Sequence, residues 1–142
     1  MADVMGRNIA PSIRVVAAVI ANESGKYLIT QRRGSAVLPG LWEFPGGRVE
    51  TGESDEAALK REVRERLGVD VVVKARMARR HHEYEGYSVE LSLYEAALQP
   101  GAVLSAVRVA DFRWVASNEF DQYPFPAADQ ATTDQLLGVE RT

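Results

Sequence analysis

Gly47-Arg48-Val49-Glu50-Thr51-Gly52-Glu53-Ser54-Asp55-Glu56-Ala57-Ala58-Leu59-Lys60-Arg61-Glu62-Val63-Arg64-Glu65-Arg66-Leu67-Gly68-Val69 is the stretch on which the fold and the chemistry of this chain turn. Ser54 is an N-cap residue, and Asp55 and Glu56 follow in the first turn, where the helix dipole favours negative charge. Gly68 can take the left-handed conformation that closes a helix. Leu59, Val63 and Leu67 recur at four-residue spacing and make one buried stripe. The segment between Ser54 and Gly68 therefore predicts an amphipathic helix. On a wheel with Leu59 at zero, Glu62 falls about 60° off the stripe and Glu65 about 120° off it, with Ala58 between them. Two carboxylates three residues apart, beside a small side chain at the core edge, can be bridged by a hard cation. Mg²⁺ takes one or two such carboxylates and completes its shell with water and phosphate. The Gly46-Gly47 turn can bring a backbone carbonyl to the same ion. Helical composition alone would leave both glutamates as a solvated face; the wider pattern decides otherwise.

Outward from the helix, the 142 residues suit one domain with one sizeable core. Residues 1–12 read as an N-terminal arm ending near Pro11, and 13–142 as the domain. Ile13 to Ile20 and Lys26 to Arg32 read as two strands of a hairpin around the turn 21–25. Arg33 to Leu41 reads as a loop, and Trp42-Glu43-Phe44 as a short strand entering Pro45-Gly46-Gly47. Val69–Val73, Tyr87–Ala97 and Phe112–Val115 are further strands, with Tyr84-Glu85-Gly86-Tyr87 as a hairpin turn. Ala127–Leu137, after Pro124-Phe125-Pro126, is a second, weaker helix. This order predicts an α+β fold with a helix on each face of a sheet.

Composition narrows the function. Hydrophobic residues are 46% and charged residues 26%, the balance of a globular protein. A net charge of −3 argues against a nucleic-acid polymer as partner, which calls for a basic face. The absence of cysteine excludes disulfides, thiolate metal sites and thiol nucleophiles. The longest apolar run, Val15 to Ala21, is too short for a membrane span, and the first residues lack a signal-peptide core. No membrane partner and a cytoplasmic location are expected.

From Gly47 the chain resembles the Nudix box: glycine, five residues, glutamate, seven residues, Arg-Glu, an aliphatic, any residue, Glu-Glu, any residue, glycine, aliphatic. Gly47, Glu53, Arg61, Glu62, Val63, Glu65, Gly68 and Val69 match it. Leu41-Trp42-Glu43-Phe44-Pro45-Gly46 is similar to the lead-in of MutT-like members. Such a long gapped match is far more specific than a lone glycine-rich loop. The resemblance implies an α/β/α sandwich with a mixed central sheet and an Mg²⁺-dependent hydrolase, with Mn²⁺ as a possible substitute. It implies Glu62 and Glu65 as metal ligands, Glu62 nearest the attacking water, and the carbonyl of Gly46 as a third ligand. Glu53 and Arg61 resemble a supporting pair in the catalytic set, and Arg32 an arginine that contacts substrate phosphate. Asp129 matches a base-reading position, where a carboxylate can accept from an exocyclic amino group; the competing reading is a helix-end charge.

Two positions depart from the pattern. Arg66 stands where the second glutamate of the pair belongs, and Arg108 where a late acidic residue is expected before Arg113-Trp114. Glu62 and Arg66 are spaced as a helical ion pair. Arg66 can also contact phosphate in place of part of a second metal's charge, or be solvated surface. His81 and His82, adjacent in a strand, point to opposite faces and do not make a metal pair. Tyr87 lies where some family members carry a tyrosine, a position shared with ordinary strand tyrosines.

The expected activity is hydrolysis of a nucleoside triphosphate, 8-oxo-dGTP among the candidates, to monophosphate and pyrophosphate by a monomer or homodimer. A CTP or modified-dCTP pyrophosphatase is the alternative within the class. A non-catalytic nucleotide-binding module is the alternative outside it, on the strength of Arg66 and Arg108.

Overall fold

The computed structural model describes residues 11–34 and 40–125. The elements are β1 (Ser12–Val19), β2 (Tyr27–Gln31), β3 (Trp42–Glu43), β4 (Gly46–Arg48), α1 (Asp55–Leu67), β5 (Val71–Tyr84), β6 (Tyr87–Leu98), β7 (Asp111–Val115) and a 3₁₀ helix, Ser117–Gln122. They form a mixed four-stranded sheet in the order β4-β1-β6-β5 and a three-stranded sheet in the order β3-β2-β7. β1 runs parallel to β6 and antiparallel to β4. Among the described residues no helix is long and apolar enough to cross a membrane.

The expected hairpin between the first two strands is corrected. Asn22 N–H donates to Lys26 O at 2.9 Å and Leu28 N–H to Ile20 O at 3.0 Å, so the chain does turn back on itself. Beyond the single Ala21–Tyr27 bridge, β1 and β2 part into different sheets. The cause lies in β1, whose last four residues are buried on both faces. Val16, Ala18 and Ile20 join Leu59, Val63 and Leu67 of α1 in one core. Ala17 and Val19 join Ile29, Phe44, Leu93 and Phe120 in another. A strand buried on both sides is a central strand, and it needs β4 and β6 as neighbours rather than β2.

The expected mixed central sheet is present, and an antiparallel three-stranded sheet accompanies it. The helix expected over Ala127–Leu137 and residues 1–10 of the arm expected over 1–12 lie outside the described residues, and Ser12 already belongs to β1. β5 runs to Tyr84, well past the expected end at Val73, and pairs with β6 down to Tyr84–Tyr87 across the turn at Gly86. Its outer half, Lys74 to Tyr84, is charged and largely exposed, so no alternating apolar pattern marked it.

The helix behaves as its sequence dictates. Ser54 Oγ accepts from Ala57 N–H at 3.1 Å, and Gly68 closes the last turn at φ 71° with its N–H on Arg64 O. Ala58, Leu59, Val63 and Leu67 face the core, and burying side chains of this size stabilises the helix by roughly 1.5–3 kcal/mol for each Leu or Val. Glu62 is buried with them, the one acidic residue of α1 to be so.

Candidate active site

The connection from β3 through β4 into α1 assembles the cluster. Glu43 ends β3, Pro45 breaks the strand while its carbonyl accepts from Ala18 N–H at 2.7 Å, and Gly46 and Gly47 pair with Ala17 and Val16 of β1. This places β4 against α1, with Gly47 beneath Glu62. A side chain has no room here: a Cβ on Gly46 would lie 2.0 Å from the carbonyl oxygen of Val16. A Cβ on Gly47 would lie 2.3 Å from Oε2 of Glu62. Both glycines are required for close approach, the one to a strand and the other to a carboxylate.

Arg61 is the hub. Its Nε donates to Glu53 Oε2 at 2.7 Å and its Nη2 to Glu53 Oε1 at 2.8 Å, a two-pronged pair. Nη2 also holds Arg48 O at 2.9 Å, fixing the segment that leads into the helix. Glu53 Oε1 accepts in addition from Glu50 N–H at 2.9 Å. These hydrogen bonds to the ionised form, Arg61 first, hold the Glu53 carboxyl down at about 2, against an ordinary 4.5. The same bonds push the Arg61 guanidinium up, so it stays charged at any relevant pH.

The remaining Arg61 nitrogen gathers the other two glutamates. Nη1 lies 2.9 Å from Glu62 Oε1 and 3.3 Å from Glu65 Oε2. Two oxygens from different carboxylates thus converge on one positive centre. The expected i,i+4 pair is present as well, with Arg66 Nε donating to Glu62 Oε2 at 2.8 Å.

Glu43 is the member of the cluster that sequence reasoning missed. Its Oε2 accepts from Arg32 Nε at 3.1 Å and Nη2 at 2.9 Å, while Oε1 lies 3.8 Å from Arg66 Nη1. Burial raises its pKa, and Arg32 and Arg66 pull it back. A polar residue between Trp42 and Phe44 was the available signal, because alternation sends it to the opposite side from two large apolar neighbours. The result is a chain of alternating charge running Arg32, Glu43, Arg66, Glu62, Arg61 and Glu53, with Glu65 beside it. Arg108 stands at the edge, its Nη1 3.8 Å from Glu65 Oε2.

Other sequence candidates lie apart from this chain of charge. His81 pairs with Glu90 and Glu83 on the β5–β6 hairpin, and Glu90 raises its pKa. His82 packs on Tyr84 at 4.4 Å, and Tyr84 stacks on Tyr87 at 5.0 Å. Asp129 is outside the described residues.

The donor set suits a hard cation. Glu62, Glu65 and nearby backbone carbonyls offer only oxygen. Among the described residues no group of three or more Asp, Glu, His or Cys side chains is close enough to hold an ion by itself. A cation at Glu62 and Glu65 would therefore complete its shell with water and substrate oxygen, the habit of Mg²⁺. Each carboxylate oxygen has two acceptor positions, so the arginine contacts leave capacity for it.

The two-sheet α+β scaffold presents a helix-borne, oxygen-rich cluster beside a Gly-Gly strand, and known proteins specify the family. Residues 16–135 match the sequence model of the NUDIX domain. A CTP pyrophosphohydrolase of Escherichia coli (strain K12) is 38% identical over 127 residues, covering 89% of this chain and 93% of that protein. An 8-oxo-dGTP diphosphatase of Haemophilus influenzae is 32% identical over 125 residues, covering 88% and 91%. The solution structure of the E. coli ORF135 protein superposes with a TM-score of 0.76 at 34% identity, covering 91% of both chains. The crystal structure of a MutT protein from Methanosarcina mazei shares the fold at a TM-score of 0.80 and 24% identity, covering 92% of this chain and 96% of that one. This chain belongs to the Nudix hydrolase family, in its MutT-like branch.

Proposed function

We propose that the chain hydrolyses a nucleoside triphosphate to the monophosphate and pyrophosphate with Mg²⁺, or Mn²⁺ in its place. The observation that carries this is the convergence of Glu62 Oε1 and Glu65 Oε2 on one cationic nitrogen, at 2.9 and 3.3 Å. Glu62, Glu65 and the carbonyl of Gly46 would hold the ion. When bound, it neutralises phosphoryl oxygen charge and lowers the pKa of water.

The chain's own residues divide the remaining work. Glu62, nine-tenths buried and held by an arginine on each oxygen, accepts the proton of the attacking water as the water oxygen bonds to one phosphorus of the diphosphate linkage and the bond from that phosphorus to its bridging oxygen breaks. Arg61 sets the orientation of Glu62 and Glu65, and Glu53 keeps Arg61 in place. Arg32 and Arg66, held by Glu43, face the polyphosphate, whose negative oxygens match a guanidinium fork.

Two base preferences have specific support. The greater identity, 38%, is to a protein named as a CTP pyrophosphohydrolase, and an 8-oxo-dGTP diphosphatase follows at 32%. A carboxylate at Asp129 favours a base with an exocyclic amino group, since cytosine N4–H₂ donates to Asp or Glu. The test is pyrophosphate release from CTP, dCTP, dGTP and 8-oxo-dGTP by wild type and Asp129→Ala, with Mg²⁺ and with chelator. Turnover abolished by chelator, with discrimination among bases lost in the variant, is the expected result. Binding of nucleotide without turnover at any Mg²⁺ concentration would sink the hydrolase reading in favour of a binding module.

A further inference from the structure

The carboxylates of this site carry more arginine than a metal-holding cluster calls for. Glu62 is capped on Oε1 by Arg61 and on Oε2 by Arg66, at 2.9 and 2.8 Å. Arg108 adds a guanidinium 3.8 Å from Glu65. Arg66 and Arg108 are also joined through the backbone. The N–H groups of Val107 and Arg108 both donate to Arg66 O, at 3.0 and 3.1 Å, and Ser105 N–H donates to Leu67 O at 3.0 Å. The loop bearing Arg108 is thereby docked on the C-terminal end of α1, satisfying carbonyls that the helix leaves open. Its anchoring gives the Arg108 side chain a defined origin beside Glu65, while the side chain itself is 63% exposed and can reach an incoming ligand.

Arg66 is differently built. It is 29% exposed, its Nε on Glu62 and its Nη1 facing Glu43. One guanidinium bridging two carboxylates is held without using its whole donor fork, which has five N–H groups. The two arginines therefore flank the carboxylate pair from the same helix end, one bonded to two carboxylates and one largely exposed. Together two guanidiniums carry the charge of one divalent ion and offer forks shaped for phosphate oxygens.

We propose that Arg66 and Arg108 form a cationic clamp for a polyphosphate, doing the electrostatic work that a further divalent ion would do between Glu65 and the substrate. This rests on the polyphosphate substrate proposed above. Arg108 is the new element: its contact with Glu65 is a resting position, and the ligand's phosphate is its working partner. The clamp acts without metal, which makes it separable from the ion held by Glu62 and Glu65.

Inorganic tripolyphosphate is the probe, titrated calorimetrically against the wild-type chain in chelator and again with Mg²⁺. Arg108→Gln, at an exposed position that tolerates change, should weaken metal-free binding about tenfold, the value of a lost charge-assisted hydrogen bond. Arg66→Gln/Arg108→Gln should weaken it further. Arg66→Glu/Arg108→Glu should gain one Mn²⁺ per chain over wild type by electron paramagnetic resonance, because the removed charge is replaced by ligands. Unchanged tripolyphosphate affinity in Arg108→Gln overturns the clamp, as does the absence of any metal-free binding by wild type. Either result with Mg²⁺-dependent turnover intact leaves the hydrolase reading standing. Loss of turnover and of Mg²⁺-loaded binding in wild type removes both.

Discussion

Gly47 and Glu62 are locked together by space: a Cβ on Gly47 would fall 2.3 Å from Oε2 and 2.4 Å from Cδ of Glu62. Gly47 lies in β4 opposite Val16, and Glu62 lies on the buried side of α1. The distance between strand and helix is thus set by a carboxylate packed on a bare backbone. This explains why a charged group sits in a helix stripe otherwise made of Ala58, Leu59, Val63 and Leu67.

Gly47→Ala should separate activity from stability. The atom it strikes ends a flexible side chain, so Glu62 can swing away at a cost of about 1–3 kcal/mol. A displacement of about 1 Å at a catalytic group lowers kcat roughly 100-fold. Gly46→Ala meets backbone instead, 2.0 Å from Val16 O, and should break the β1–β4 pairing. Urea melts and kcat on both variants decide the matter. A folded Gly47→Ala with wild-type kcat would show that Glu62 does not need its present position.

Glu62→Gln should cost far more rate than fold. The amide oxygen can keep one arginine contact, so the stability loss stays within about 1–3 kcal/mol. Losing the proton acceptor removes about 10²–10⁴-fold in kcat. Glu65→Gln, at a side chain 41% exposed, should weaken metal affinity with a smaller stability loss. Mn²⁺ titration alongside kcat separates the two. Equal kinetic profiles for both variants would contradict the division of labour proposed for them.

Gly68→Ala should loosen the end of the site. Gly68 adopts φ 71°, which costs a non-glycine residue about 1–2 kcal/mol, and its added Cβ would lie 3.1 Å from Ser105 Oγ. That strain falls on the loop carrying Arg108. A lowered melting temperature with weaker tripolyphosphate binding is expected. Lower stability with unaltered binding would detach the loop's position from ligand affinity.

What the sequence disclosed follows from how local each feature is. The helix, its caps and the side of it that carries Glu62 were legible because 3.6-residue periodicity and capping chemistry act within a few residues. The Glu62–Arg66 pair was legible for the same reason. The parting of β1 and β2 was not, since it depends on both faces of β1 meeting cores built from residues far along the chain. The outer half of β5 was hidden because Arg76, Arg79 and His81 give no apolar alternation; β6 holds that segment through backbone pairing. Glu43 reads in the sequence only as part of a lead-in motif. Its role as acceptor for Arg32 and Arg66 depends on three elements meeting, which no spacing reveals.

The Glu53–Arg61 pair should appear in acid stability. The folded-state pKa of Glu53 is about 2 and its ordinary value 4.5, so as acid is added the unfolded chain takes up this proton first. Stability from the pair is fully present above about 4.5 and drains away as pH falls toward 2. Arg61 does not titrate there, since its own shift is upward from an already high value. Glu53→Gln removes the titration while leaving an amide oxygen for Arg61. The variant should be less stable than wild type at neutral pH, and the gap should close as pH falls through that window. Other carboxylates titrate in both proteins and cancel in the comparison. Denaturation midpoints at steps from neutral pH down to pH 2.5 give the two curves. Curves that stay parallel throughout would mean the pair contributes nothing to folding, and Arg61 would then have to be held over Glu62 and Glu65 by the Arg48 carbonyl and by Glu50, whose Oε1 lies 3.8 Å from Arg61 Nη1.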